Sequence, residues 1–218
     1  MTTTHTMKET YQQIAAACAP SGTQLIAVVK RQPLERILQA YELGIRDFGH
    51  SYVQEAQACR EALATHMPEA RWHFIGRIQS NKTRNLQSGW HRVHGVDRIK
   101  IARRLGEADV LLQVRLGGEH SKAGVAPAAV RPLIDAIHKD SHVKIRGLMA
   151  LPPPLSLWQG HDYFGDLAGL RDALQNEGLL APEAGELSMG TSQDFTHAIT
   201  AGAHWIRVGT ALMGTRQA

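Results

Sequence analysis

The sequence predicts a single (β/α)8 barrel domain with an extra helix at its amino terminus, and three observations support this prediction. Short apolar runs alternate with amphipathic stretches along nearly the whole chain, as parallel strands alternate with helices. There are about eight such units of roughly 27 residues, and eight units favour a closed barrel over an open sheet. The 218 residues fit one barrel, and no linker or shift in composition divides residues 1–218 into further domains.

The strands are predicted from short apolar runs that contain β-branched residues. The first run, residues 25–29, is followed by Pro33, which suits a first helical turn, and by Gly44, which suits a helix end. The remaining strands are predicted at 45–48, 72–75, 92–94, 110–114, 144–149, 187–189 and 205–208. The helices are predicted at 33–43, 51–64, 81–86, 97–105, 127–138, 163–177 and 192–201, and the extra helix at 11–19. The proline-rich residues 151–155 fit either a loop over the barrel mouth or a stiff spacer.

Composition and charge exclude several classes of protein. Two cysteines, Cys18 and Cys59, are too few for a disulfide framework, which favours a reducing compartment such as the cytoplasm. No apolar run approaches the ~20 residues of a membrane span. The polar residues 1–10 do not resemble a secretory signal and are expected to be flexible. The net charge of +4 permits an anionic ligand, but the basic residues between 71 and 104 lack the aromatic platform of a nucleic-acid site.

Two pairs of histidines have spacings that occur in metal sites. These are His91 with His94 and His138 with His142. No third or fourth ligand lies close to either pair in the sequence. We therefore interpret these histidines as exposed side chains and predict no metal site.

Lys30, which follows the first predicted strand, is the first candidate functional residue. Alternation along the strand places Ile26, Val28 and Lys30 on one face. A lysine at the end of a buried strand pairs with a phosphate or carboxylate, or forms a Schiff base with a carbonyl compound, unless it leaves the sheet for solvent. Position alone leaves these alternatives open.

Two turns near the end of the chain indicate an anion site. Residues 187–195 and 205–214 each place glycine and hydroxyl residues between a strand and the start of a helix. Backbone N–H groups and the helix N-terminus favour an anion at such a turn. The two turns belong to the seventh and eighth units, where barrels frequently hold a phosphate. Together they predict a phosphorylated ligand.

Arg207 is predicted to point into the barrel, because alternation gives it the same face as Trp205 and Gly209. A guanidinium group only donates hydrogen bonds, so an inward arginine needs an acceptor. The acceptor is either a ring nitrogen of a ligand with a free lone pair or a neighbouring carboxylate.

Several blocks of the sequence resemble the pyridoxal 5′-phosphate (PLP) homeostasis proteins, which are single-domain relatives of alanine racemase. They include Ala-Val-Val-Lys at 27–30, Ser-Lys-Ala-Gly at 121–124 and Leu-Ser-Met-Gly at 187–190. Further matching blocks occur, in the order of the family, at 40–49, 52–55, 72–76, 79–82, 147–149 and 207–211. The resemblance extends from about residue 25 to residue 216, nearly the whole chain.

The resemblance implies a fold-type III PLP-binding barrel and a role for each matching residue. Lys30 matches the lysine that holds PLP as a Schiff base, and Arg207 matches the arginine that faces the pyridine nitrogen. Lys122 matches a second lysine, an accessory acceptor of PLP. The phosphate cradle of the family is matched by Ser188, Gly190, Gly209 and Thr210.

This sequence departs from the family pattern close to the expected cofactor. Val29 stands where the family has serine, and Gly49-His50-Ser51-Tyr52 replaces Gly-Glu-Asn-Tyr. These changes bear on the affinity for PLP rather than on the identity of the cofactor.

The resemblance favours a non-enzymatic protein that holds PLP and delivers it within vitamin B6 homeostasis. An arginine at the pyridine nitrogen disfavours protonation of that nitrogen and weakens the cofactor as an electron sink. Candidate recipients are PLP-dependent apoenzymes, and we expect a monomer. The alternatives are a weak PLP-dependent amino-acid racemase or isomerase, and a barrel that binds another phosphorylated metabolite.

Overall fold

The strands of the protein close into one parallel barrel, which confirms the predicted fold. The computed structural model describes residues 6–117 and 123–215. Within these residues, eight strands pair in chain order and β8 pairs with β1. The strands are β1 Gln24–Val28, β2 Asp47–His50, β3 Arg71–Phe74, β4 Arg92–Val96, β5 Asp109–Val114, β6 Lys144–Ala150, β7 Glu186–Ser188 and β8 Trp205–Val208.

Helices surround the barrel on the outside. In the described part of the chain they are α1 Met7–Cys18, α2 Leu34–Glu42, α3 Val53–Leu63, α4 Ile99–Ala102, α5 Val130–Asp140, α6 Tyr163–Asn176, α7 Phe195–Thr200 and α8 Thr210–Met213. Short 3-10 helices occur at Ala19–Ser21, Thr83–Leu86, Pro127–Ala129 and Leu155–Leu157. The helix predicted at 81–86 is only the 3-10 turn Thr83–Leu86. None of these helices has the length and hydropathy that crossing a bilayer requires.

Helix α1 begins earlier than the sequence analysis predicted. We expected residues 1–10 to be flexible and the helix to start at residue 11, but it starts at Met7. Thr6 and Glu9 form a capping box: the Thr6 side chain accepts from the Glu9 backbone N–H, and the Glu9 carboxylate accepts from the Thr6 N–H at 2.8 Å. This reciprocal cap satisfies two backbone donors and explains the earlier start.

The strands alternate as predicted between the barrel interior and the helical layer. Ile26 belongs to a small interior cluster with Leu111, Met149 and Trp205, whereas Ala27 and Val29 belong to the outer core between strands and helices. The buried cysteines Cys18 and Cys59 are part of the same outer core.

An ion cluster closes the amino-terminal end of the barrel. Glu186, the first residue of β7, accepts hydrogen bonds from Arg92 Nη2 at 2.6 Å and from Trp205 Nε1 at 2.8 Å. Burial alone raises the pKa of Glu186, but the bonds from Arg92 and Trp205 together outweigh it and lower this pKa. Arg92 also donates to Asp109, so the cluster joins β4, β5, β7 and β8.

Candidate ligand site at the carboxyl-terminal mouth of the barrel

The carboxyl ends of β1, β7 and β8 surround a cavity of about 390 Å³. Four residues of the sequence-predicted set line it, namely Lys30, Arg207, Gly209 and Thr210. The turn after β7 contributes Thr191, Ser192 and Gln193. A larger cavity of about 630 Å³ lies among Trp158, His161 and His197 and includes none of the sequence-predicted site residues.

Lys30 lies in a turn that is fixed from two sides. The N–H of Val29 donates to the carbonyl of Gly49 at 3.0 Å and continues the barrel pairing beyond β1. The next residue after Lys30, Arg31, has a φ of +55°, which is uncommon for a residue with a side chain. The N–H of Arg31 donates to Glu55 Oε1 at 2.5 Å, so a carboxylate in the first turn of α3 holds this strained turn.

Removal of the Glu55 carboxylate is expected to loosen the turn that carries Lys30. A hydrogen bond to a charged group contributes about 1.5–3 kcal/mol, so Glu55→Ala should raise amide hydrogen exchange at Arg31 by about tenfold or more. Exchange measured on peptides that span residues 29–33 checks this. Glu61→Ala, which removes an exposed carboxylate from the same helix, is the control. Equal protection at Arg31 in the Glu55 variant and in the unmodified protein would contradict the assignment.

The two turns at the other end of the cavity are tied together by Ser192. Its hydroxyl oxygen accepts from the N–H of Gly209 at 3.2 Å and from the N–H of Ala211 at 3.4 Å. The Asp194 carboxylate accepts from the N–H of Thr191 at 2.5 Å and from its hydroxyl at 2.9 Å. This end of the cavity is lined by the hydroxyl residues Thr191, Ser192 and Thr210, and no carboxylate of the described residues lines it, which suits an anion.

Gly190 and Ser188 lie behind these turns rather than in the cavity lining. The carbonyl of Gly190 accepts from the N–H of Arg207 at 2.9 Å, and a Cβ at Gly190 would lie 2.5 Å from the Cβ of Ala198. Ser188 is completely buried inside the barrel. Neither residue is among those that line the cavity. Lys122 lies outside the described residues.

Arg207 points into the barrel and is only 3% exposed. Its Nη1 donates to Ser188 Oγ at 2.6 Å and its Nη2 donates to the carbonyl of Ala150 at 2.8 Å. Among the described residues, no carboxylate lies within ion-pair distance of this guanidinium group, so the ion pair considered as an alternative is not formed there. Burial lowers the pKa of Arg207 to about 10, which leaves it a cation at neutral pH.

A chain of hydrogen bonds continues from Arg207 through the barrel interior. Ser188 Oγ lies 2.8 Å from His94 Nδ1, and His94 Nε2 lies 3.0 Å from His73 Nδ1. His73 Nε2 lies 2.9 Å from Asp47 Oδ1. We interpreted His94 as exposed from its sequence spacing, and this was wrong: its side chain is completely buried in this chain.

The order of donors along this chain follows from Asp47. Because its carboxylate only accepts, His73 donates through Nε2, and in a neutral His73 the Nδ1 atom then accepts from His94 Nε2. A neutral His94 that donates through Nε2 accepts at Nδ1, so the hydroxyl of Ser188 donates to it while its oxygen accepts from Arg207. This order requires neutral histidines, and burial lowers the pKa of His94 well below its usual value. Burial also lowers the pKa of His73, despite the opposing effect of Asp47.

Comparisons with known proteins place this chain in a family. The family described as "Alanine racemase, N-terminal domain" matches residues 3–217. A pyridoxal phosphate homeostasis protein of Vibrio alginolyticus is 41% identical over 217 residues, which cover 94% of this chain and 92% of the relative. A second such protein, from Pseudomonas aeruginosa, is 41% identical over 210 residues, which cover 93% of this chain and 88% of the relative.

The chain belongs to the pyridoxal phosphate homeostasis protein family. PipY of Synechococcus elongatus, solved without PLP, matches the chain with a TM-score of 0.86 at 36% identity over 95% of this chain and all of the other. PipY with PLP bound matches with a TM-score of 0.83 at 34% identity over the same shares. The resemblance seen in the sequence is thereby confirmed.

A solved structure with lower sequence identity is similar in fold. Alanine racemase of Clostridium difficile matches with a TM-score of 0.72 at 12% identity, and the match covers 97% of this chain and 57% of the racemase. At this identity the likeness describes the fold only.

The sequence analysis of this member of the pyridoxal phosphate homeostasis protein family did not identify three features of the site. It did not single out Ser192 within the turn that it identified, nor Glu55 as the clamp on the Lys30 turn. It also missed the interior chain from Asp47 to Ser188. A serine next to a glycine turn was the available signal for Ser192, whereas Glu55 and the interior chain depend on partners that are distant in sequence.

Proposed function

We propose that this protein is a non-enzymatic PLP carrier, which binds PLP as a Schiff base on Lys30, holds it in the cytoplasm and delivers it in vitamin B6 homeostasis. The observation that carries the proposal is the convergence of three groups on one cavity of about 390 Å³: Lys30, the buried Arg207 cation, and the hydroxyl residues Thr191, Ser192 and Thr210 of two turns. PLP itself supplies an aldehyde that condenses with an amine, and a dianionic phosphate. We further propose that the protein acts as a monomer and that PLP-dependent apoenzymes receive the cofactor.

The cavity residues fit the chemistry of PLP. An aldehyde needs a primary amine, and Lys30 is the lysine that lines this cavity. A phosphate needs donors without competing negative charge, and among the described residues no aspartate or glutamate lines the cavity. The Arg207 cation has no carboxylate partner among these residues, so an acceptor on a ligand would complete its hydrogen bonding.

The same residues argue for holding PLP rather than for turning over an amino acid. A guanidinium group that faces a ring nitrogen holds that nitrogen unprotonated, because arginine stays charged and only donates. Racemisation also needs an acid or base on each side of the reacting carbon. In the described part of the chain, Lys30 is the only lining residue of this cavity with a side chain suited to that task. The second candidate function remains a weak PLP-dependent racemase or isomerase.

Reductive trapping tests the proposed attachment. We expect borohydride treatment of the PLP-loaded protein to fix the cofactor on Lys30. The label should disappear from Lys30→Ala, because Lys30 is the only lysine among the described residues that line the cavity. Peptide mapping by mass spectrometry identifies the modified lysine. Lys100→Ala, which removes an exposed lysine, should retain full labelling. Label spread over surface lysines, or undiminished in Lys30→Ala, would reject the proposal.

A second measurement separates carrier from enzyme. The loaded protein should restore activity to a PLP-dependent apoenzyme and should exchange the α-hydrogen of alanine at rates far below about 1 s⁻¹. Exchange at or above that rate would favour the racemase or isomerase.

A further inference from the structure

A second cavity of about 480 Å³ adjoins the proposed PLP cavity. The two cavities share Lys30, Ser51 and Ile75, so Lys30 stands at their junction. The second cavity extends away from the turns after β7 and β8 and toward the loop after β3. The apolar side chains of Phe74 and Ile75 line one part of it.

The loop after β3 adds two more cations to this cavity. Arg77 and Lys82 line it together with the amide of Gln79, and among the described residues no aspartate or glutamate does so. Neither cation forms an ion pair with a carboxylate in the described segments. Like charges that share a cavity repel each other, and an anion placed between them removes this repulsion.

The loop that presents these cations is held in place from behind. Arg98 Nη2 donates to the carbonyl of Ile78 at 2.9 Å, and Arg104 Nη1 donates to the carbonyl of Ser80 at 2.9 Å. The front of the loop packs tightly at Gly76, where a Cβ would lie 2.2 Å from the carbonyl oxygen of Ser51. The backbone of the loop that carries Arg77 and Lys82 is therefore held in place, which lowers the entropy cost of ordering this loop on binding.

We propose that this second cavity binds the phosphate of an aromatic phosphate monoester, and that it is the station through which PLP enters and leaves. The role in PLP transfer rests on the proposed function, whereas the phosphate site itself does not. A phosphate monoester carries about −1.5 to −2 charges at pH 7, which two cations balance, whereas one carboxylate would leave a positive charge uncompensated. A phosphate held by Arg77 and Lys82 leaves the other end of the molecule on the Lys30 side of the cavity.

Backbone amide chemical shifts distinguish the two cavities. Inorganic phosphate added to the PLP-free protein should shift the amides of residues 76–82, which report on the second cavity. The amides of residues 190–193 and 209–211 report on the first. Arg77→Gln combined with Lys82→Gln should weaken the response of residues 76–82 by about tenfold or more. Arg84→Gln, an exposed arginine outside this cavity, should leave it unchanged. Unshifted amides at 76–82, or shifts as large with acetate or L-alanine at equal concentration, would overturn the phosphate site.

The transfer role has its own readout. The Arg77→Gln, Lys82→Gln variant should still be labelled on Lys30 at equilibrium but should take up and release PLP about tenfold more slowly. An unchanged rate would overturn the transfer role, as would a response of residues 76–82 to AMP but not to PLP. Labelling at Lys30 tests the proposed function by a separate measurement. Failure of the proposed function can therefore be distinguished from failure of the second phosphate site.

Discussion

Lowering the pH from 7 to 4.5 is expected to remove much of the folding free energy of this protein, because four histidines titrate differently in the folded and unfolded chain. Burial lowers the pKa of His50 and of His91 to about 4, and it also lowers the pKa of His73 and His94. The unfolded chain takes up a proton on each of these rings near pH 6.5, whereas the folded chain does not. Stability is therefore complete above that pH and falls as the pH drops toward the folded pKa values, by up to about 1.4 kcal/mol per pH unit for each histidine.

His50 offers the sharpest test of this expectation. Its ring is completely buried and stacks on Trp72 with ring centroids 5.7 Å apart, and neither ring nitrogen has a hydrogen-bond partner in the described structure. The charged groups near it are Glu55, at 3.8 Å from Nδ1, and Arg60, whose repulsion adds to burial in lowering the pKa. His50→Phe preserves the stacking and removes the titration.

The expected result is a difference that grows as the pH falls. Between pH 7.5 and pH 5, the free energy of unfolding of His50→Phe should rise by about 2 kcal/mol relative to that of the unmodified protein, since most of the shift from 6.5 to about 4 is expressed at pH 5. Urea unfolding at a series of pH values measures this. The control is His138→Gln, which removes an exposed histidine from α5. Its free energy of unfolding should change with pH in the same way as that of the unmodified protein. If the free energy of unfolding of His50→Phe also changes with pH just as that of the unmodified protein does, His50 does not contribute to the pH dependence of stability.

Gly147→Ala is expected to prevent the barrel from closing. Gly147 of β6 is paired with Glu186 of β7, and a Cβ at this position would lie 1.9 Å from the carbonyl oxygen of Glu186 and 2.7 Å from its backbone nitrogen. No side-chain rotation relieves a clash with backbone, so the two strands would have to separate. Glu186 also binds Arg92 and Trp205, and its displacement would break that cluster.

The expected cost exceeds about 4 kcal/mol, which places Gly147→Ala among the most damaging single substitutions. This loss of stability can be measured as a smaller soluble fraction after expression and a lower midpoint of urea unfolding. Gly169→Ala on α6 is the matched control: a Cβ there meets nothing within 4 Å, and alanine favours a helix by about 0.5–1 kcal/mol. The prediction would be contradicted by a Gly147→Ala protein that unfolds within about 1 kcal/mol of the unmodified one.

The barrel was predictable because its signals are local. Each strand carries its own apolar alternation, and each turn carries its own glycine or proline, so eight units can be recognised one at a time. The direction of Arg207 followed from the same alternation. Strand limits shifted where an inward residue is polar: β2 extends from Asp47 to His50 rather than over 45–48, because Asp47 is satisfied by Arg71 and His73 inside the barrel.

The interior hydrogen-bond chain was not predictable because its partners come from different strands. His73 and Asp47 are 26 positions apart, and His94 and Ser188 are 94 positions apart. A sequence shows each of them only as an isolated polar residue in an apolar strand. Their pairing depends on barrel register, which no local pattern records. The same reason applies to Glu55, which reaches back 24 positions to Arg31.

The pairing of β7 with β8 links ligand binding to the stability of the fold. A single register pair, Ser188 with Trp205, joins these two strands directly, and the turns that follow them meet through Ser192. An anion bound by both turns, as proposed, would link β7 and β8 at a junction with one register pair. Its binding would then favour the closed barrel, so we expect the PLP-loaded protein to unfold at a higher temperature than the PLP-free protein.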